Sequence, residues 1–150
     1  MVYGSGPNIG QWNDDSCSKS YYFICERAAQ YVKNVVAKTT PKPFGVKCGP
    51  FWEEAPNTDY CYMFSDQQRI WADARYMCKS IGGDLLSITS SVEQAYVTGR
   101  INGMQSTALW IGANDMKTEG GYGWTDKSPF SYMNWFAGEP NNKNNREDCV

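Results

Sequence analysis

Six cysteines, Cys17, Cys25, Cys48, Cys61, Cys78 and Cys149, constrain this 150-residue chain more than any other feature. None stands in a closely paired CxxC motif, so zinc knuckles and dithiol redox centres do not fit the spacing. An even number of scattered cysteines implies three disulfides formed in an oxidising compartment, although spacing alone leaves every pairing open. The length suits one compact unit with room for a tail or linker. Histidine is absent, which removes Ser-His-Asp and Cys-His triads, imidazole zinc sites and the commonest general base. Lys and Arg number 14 against 16 Asp and Glu, a net charge of −2. No basic field is present to attract nucleic acid or an anionic membrane surface.

No stretch is apolar for long enough to span a membrane, and residues 1–15 lack the basic start and apolar run of a signal peptide. Met1 then suggests an expressed fragment or mature region, and the cysteine usage an extracellular or secreted location. No Asn-x-Ser/Thr sequon occurs, so N-glycosylation is not expected.

Residues 26–47, without cysteine or tryptophan and passing into Thr-Thr-Pro-Lys-Pro, read as a linker. Within them Ala28, Tyr31, Val32, Val35 and Val36 recur at helical spacing, a pattern too short to be stable alone. Ile70, Ala74, Met77, Cys78 and Ile81 form a stripe that predicts a helix over 69–81, stopped by Gly82-Gly83 and carrying Cys78 inward. A strand is predicted over 84–88. Ser90 and Glu93 then make a capping box for a second helix reaching about Ile101. Leu109, Trp110 and Ile111 predict a short strand ending at Gly112. Residues 113–149 are polar and loop-like, yet Trp124 and Trp135 argue that they are ordered, and so long a loop is usually functional. Trp12, Trp110, Trp124 and Trp135 are read as core, the commonest use of large aromatic surface.

Two clusters of oxygen donors stand beside cysteines. Residues 138–149 gather Glu139, Asn141, Asn142, Asn144, Asn145, Glu147 and Asp148 around Pro140, and residues 11–17 bring Asn13, Asp14 and Asp15. Carboxylates and amides without His or Cys ligands suit a hard cation, and Ca2+ over Mg2+ because it accepts six to eight irregularly placed oxygens.

These segments resemble the C-type lectin-like domain over residues 1–25 and 48–150. Glu139-Pro140-Asn141 resembles the family's sugar-binding triplet, followed at the usual interval by Glu147-Asp148-Cys149. Trp12-Asn13-Asp14 with Cys17 and Cys25 is similar to its closing segment, Trp110-Ile111-Gly112 to its central core motif, and residues 48–61 to the N-terminal hairpin of long-form members. The resemblance implies an α+β fold in which two helices flank small antiparallel sheets beside a long calcium-binding loop region. It further implies the bridges Cys48–Cys61, Cys25–Cys78 and Cys17–Cys149, and a cis bond before Pro140.

The order of segments departs from the family, since the closing segment (1–25) precedes the linker (26–47) and the opening and central part (48–150). Two explanations fit: a circular permutant, or a fragment cut across neighbouring domains of a tandem-repeat lectin such as the mannose receptor group. Residues 26–47 reach about 70 Å when extended, so closure within one chain is favoured over a dimer that exchanges residues 1–25.

Carried onto this sequence, the resemblance implies a principal Ca2+ site of Glu139, Asn141, Glu147, Asn13 and Asp14, the same residues contacting sugar. A second Ca2+ would be held by Asp115, Glu119, Asn142 and Asp148. In the family the Glu-Pro-Asn order accompanies mannose, fucose, glucose or N-acetylglucosamine. The expected function is therefore calcium-dependent binding of mannose-class glycans, with a calcium-stabilised scaffold for a protein or other non-sugar ligand as the alternative. Glu139 and Glu147 as a glycosidase acid/base pair are rejected, because a metal cage holds carboxylates ionised. No catalytic residue and no nucleic-acid or membrane-inserting partner is expected.

Overall fold

The computed structural model describes residues 1–29, 48–56, 58–104 and 108–150. The helix suggested by Tyr31, Val32, Val35 and Val36, and nearly all of the linker, lie outside them.

Tyr22–Ala28 (β2) is the longest strand, and it is central because Phe23, Ile24 and Cys25 are apolar on both faces. It runs antiparallel to Tyr60–Phe64 (β4), with Cys25 opposite Met63, and β4 pairs in turn with Glu53–Glu54 (β3). On its other side β2 runs parallel to Ala108–Trp110 (β6), with Phe23 opposite Trp110. Val2–Tyr3 (β1) closes that edge antiparallel to β6, and the short Asp84–Leu85 (β5) also pairs with β2. A separate hairpin joins Ala113–Asn114 (β7) to Gly123–Trp124 (β8).

Two helices pack on this frame. The first, Trp71–Ser80 (α1), buries Trp71, Ala74 and Cys78. Gly83 ends it in close packing, since a Cβ there would lie 2.5 Å from the Glu26 carbonyl oxygen. Gly82 adopts φ +83°, and the Gly83 amide returns to the Cys78 carbonyl at 2.9 Å. The second helix, Ser91–Ile101 (α2), has Ser90 as N-cap, whose hydroxyl accepts the Glu93 amide at 3.2 Å. Glu93 itself reaches past Ser90 to the Thr89 amide at 2.8 Å, a capping box displaced by one residue.

All three disulfides pair as the resemblance implied: Cys17–Cys149, Cys25–Cys78 and Cys48–Cys61. Two of them tie residues 1–28 to the rest of the chain. Trp12 and Trp110 are fully buried and Trp124 nearly so. Trp12 sits at the centre of an aromatic layer, edge-on to Trp124 at 5.4 Å and to Trp135 at 5.7 Å.

Three local expectations change. The strand predicted over 84–88 has only two ladder residues, because beyond Leu85 the chain leaves the β2 edge, although Leu86 still donates to the Ile24 carbonyl at 2.9 Å. The strand read at 109–111 starts one residue earlier. β2 continues through Ala28, three residues into the segment read as linker, since Glu26, Arg27 and Ala28 keep pairing with Tyr62, Cys61 and Tyr60. That extension buries the Glu26 carboxylate.

Candidate functional site

Residues 12–15 run between the two arms of the long loop region and are stitched to both. Trp12 donates its amide to the Asn134 carbonyl and accepts from the Phe136 amide, each at 2.8 Å. Asp15 exchanges backbone bonds with Cys149 at 2.8 and 3.2 Å. Between these anchors the Asp14 side chain is fully buried.

Asp14 is the hub. Its Oδ1 accepts the Asn141 amide at 3.1 Å, and its Oδ2 accepts the Asn142 amide at 2.8 Å and the Tyr122 hydroxyl at 3.2 Å. Glu139 lies beside it, joined to Pro140 by a cis peptide bond. One Glu139 oxygen accepts the Asn141 side-chain amide at 2.7 Å, while Oε2 is buried with no hydrogen-bond partner. Burial, reinforced by the adjoining Asp14 carboxylate, pushes the Glu139 carboxyl up to about 7. Among the described residues no Lys or Arg pairs with either group. Two adjoining carboxylates with no Lys or Arg beside them, one with an oxygen that accepts from no N–H or O–H donor, suit a bound cation.

The remaining candidates are close but differently engaged. Asn13 turns its amide nitrogen to the Asp14 carbonyl and accepts the Tyr3 hydroxyl on Oδ1 at 3.2 Å. The Glu147 carboxylate caps the turn at Lys143–Asn145, accepting the Lys143 amide at 2.9 Å. Asn142, read as a second-site ligand, bridges the clusters: its amide bonds Asp14 and its Oδ1 accepts the Glu147 amide at 3.1 Å. Asp115 accepts the Gly120 amide on Oδ2 at 2.8 Å, and its buried Oδ1 has no partner. Burial raises the Asp115 carboxyl, with the Glu119 and Asp148 charges adding to it. The Asp148 carbonyl accepts the Asp115 amide at 3.1 Å. Glu119 is exposed. Among the described residues no three Asp, Glu, His or Cys side chains converge into a ready cation cage. The convergent core is thus Asp14, Glu139 and Asn141, with Glu147 and Asn13 at its rim.

A family model described as the lectin C-type domain matches residues 67–150. The chain belongs to the C-type lectin domain family. The human C-type mannose receptor 2 is 45% identical over 103 residues, covering 68% of this chain and 7% of that protein. The lectin domain therefore spans a small fraction of that relative. Two solved structures share its fold at 38% identity, each covering 69% of it. They are the C-type lectin CEL-I from Cucumaria echinata (TM-score 0.63, 79% of that chain) and the cow CD23 C-type carbohydrate-recognition domain (TM-score 0.61, 77% of that chain). The latter was crystallised in the presence of a GlcNAc2Man3 oligosaccharide. With this membership the lectin domain is a binding module and not an enzyme. Among the described residues no helix is long and apolar enough to cross a membrane.

Tyr3 and Tyr122, absent from the ligand set expected for the lectin domain, prove to contact it. The available signal was general: a tyrosine hydroxyl carried into an interior needs a polar partner.

Proposed function

We propose that this domain binds sugars of the mannose class through a Ca2+ ion held by Asp14, Glu139 and Asn141, with Glu147 and Asn13 completing the principal site. The observation that carries the reading is the buried Glu139 oxygen that accepts from no N–H or O–H donor and lies against the Asp14 carboxylate. When bound, Ca2+ would supply spare coordination positions that vicinal sugar hydroxyls can take in place of water. The carboxylates of Asp14, Glu139 and Glu147 can only accept, and the amides of Asn141 and Asn13 can donate, so each hydroxyl finds both an acceptor and a donor. Asn141 already donates to Glu139. A second Ca2+ at Asp115, Glu119, Asn142 and Asp148 is supported by the unpartnered Asp115 oxygen. The oligosaccharide present with the cow CD23 domain supports the ligand class.

The arrangement also supports one domain closed within one chain, residues 1–28 completing the fold of 48–150 in permuted order. Ala29 bonds the Asp59 carbonyl at 2.7 Å and the Arg27 guanidinium bonds the Cys48 carbonyl, so both sides of the connection lie together. A monomer mass by gel filtration with calcium is expected; a dimer mass would favour exchanged segments. The three disulfides support an extracellular location.

The deciding experiment is retention on immobilised mannose, elution by a chelator, and loss of retention in Asn141→Asp. Absent binding, or binding indifferent to chelator, would overturn the sugar reading and leave a scaffold for a non-sugar ligand.

A further inference from the structure

Three consecutive residues of the N-terminal segment are each held by a tyrosine hydroxyl. Tyr3 donates to Asn13 Oδ1 at 3.2 Å, Tyr122 to Asp14 Oδ2 at 3.2 Å and Tyr21 to Asp15 Oδ2 at 2.7 Å. Two of the three recipients are proposed cation ligands. The third, Asp15, is paired instead with Lys19 at 2.6 Å.

The two ligand-facing hydroxyls are carried by rings whose positions packing decides. Tyr122 lies against Phe130 at 6.3 Å and edge-on to Trp135 at 4.9 Å. Tyr3 meets Phe136 edge-on at 5.8 Å. The other donors to the Asp14 carboxylate among the described residues, the amides of Asn141 and Asn142, belong to the same loop as Glu139 and Glu147. Among the described residues only Tyr122 ties that carboxylate to the aromatic layer beneath. A ligand fixed from that loop alone would move with it, whereas one also fixed from the core has a set position.

We infer that Tyr122 and Tyr3 are positioning residues, whose hydroxyls set the Asp14 and Asn13 side chains for the cation. The inference rests on the cation reading above. Neither hydroxyl needs to touch the ion; each acts through the ligand it orients, as outer hydrogen-bond partners do in metal sites generally.

The test is a calorimetric Ca2+ titration of the full chain and of Tyr122→Phe, Tyr3→Phe and Tyr21→Phe, with melting of each in chelator. Phenylalanine keeps the ring and removes only the hydroxyl. Tyr122→Phe is expected to weaken Ca2+ affinity about 10-fold or more and Tyr3→Phe by a few-fold, within the range typical of outer-shell losses. Tyr21→Phe, which strips the shortest of the three bonds from a non-ligand, is expected to lower metal-free melting at least as much as Tyr122→Phe while affinity stays within about twofold. Unchanged affinity in both Tyr122→Phe and Tyr3→Phe would overturn the inference and leave the cation reading intact. Equal losses of affinity in all three variants would make the hydroxyls structural and overturn it too. Absence of saturable binding by the unaltered chain would overturn the cation reading itself.

Discussion

Asp14 accepts the backbone amide of Asn142 at 2.8 Å although 128 residues separate the two. Their contact means that the candidate site exists only when the beginning and end of the chain are assembled. Cation binding at the proposed site and domain closure would therefore be thermodynamically linked, because an ion that needs both segments would stabilise their association.

The Glu139 carboxyl should make cation binding depend on pH. It is pushed up to about 7 by burial and by Asp14, and a cation must displace its proton. Ca2+ affinity is expected to fall by up to about tenfold per pH unit below 7, with proton release measurable by calorimetry in buffers of different ionisation heat. For metal-free stability the sign is opposite. A carboxyl whose folded value is raised contributes stability fully below its unfolded range and loses it as pH rises through about 7.

Glu26 is a buried carboxylate whose value is raised well above the ordinary one by burial, with Glu93 adding like charge. Its Oε1 accepts the Ser87 amide at 2.7 Å, a bond a glutamine oxygen can keep. Metal-free Glu26→Gln is expected to melt higher at pH 7 by about 1 kcal/mol of stability. The gain should shrink toward acid, where Glu26 is itself protonated. Melting at pH 5 and pH 8 in chelator measures both.

The Cys17–Cys149 bridge closes 132 residues and adjoins the Asp15 pairing with Cys149. Replacing both cysteines by serine is expected to cost about 2–5 kcal/mol. Combined with chelation, the loss should exceed the sum of the two separate losses, since each clamps the same segments. Scanning calorimetry of the four combinations checks this; additive shifts would count against it.

Trp12 joins the core to the site. Its indole donates to Gln94 Oε1 at 2.8 Å while its backbone bonds the loop at Asn134 and Phe136. Trp12→Phe is expected to cost about 2 kcal/mol from lost volume and an unpaired Gln94 oxygen. Denaturant unfolding with unchanged m-value measures it.

The sequence was most legible where one local rule sufficed. The apolar stripe with Gly82-Gly83 located α1, and Ser90 located the start of α2. Trp71 was absent from that stripe yet is buried, because its indole reaches the Ile111 carbonyl at 2.9 Å, a partner that only tertiary packing supplies. The motif around Pro140 singled out Glu139 and Asn141, which the structure places beside Asp14. It could not reveal that the Glu147 carboxylate turns to the Lys143 amide, since that depends on the left-handed backbone at Asn142, Asn144 and Asn145. The tyrosine contacts were equally hidden, because Tyr122 and Asp14 meet only across the finished loop region.

The closeness of Arg27 to Cys48 has a covalent consequence. A single cut anywhere in 30–47 would separate the polypeptide into two pieces still joined through Cys17–Cys149 and Cys25–Cys78. Such a nicked molecule would stay one particle, heavier by one water, until reduced, and the proposed ligand residues would stay in place. Backbone continuity between the halves is thus dispensable once the domain has oxidised, and the bridges carry the identity of the molecule.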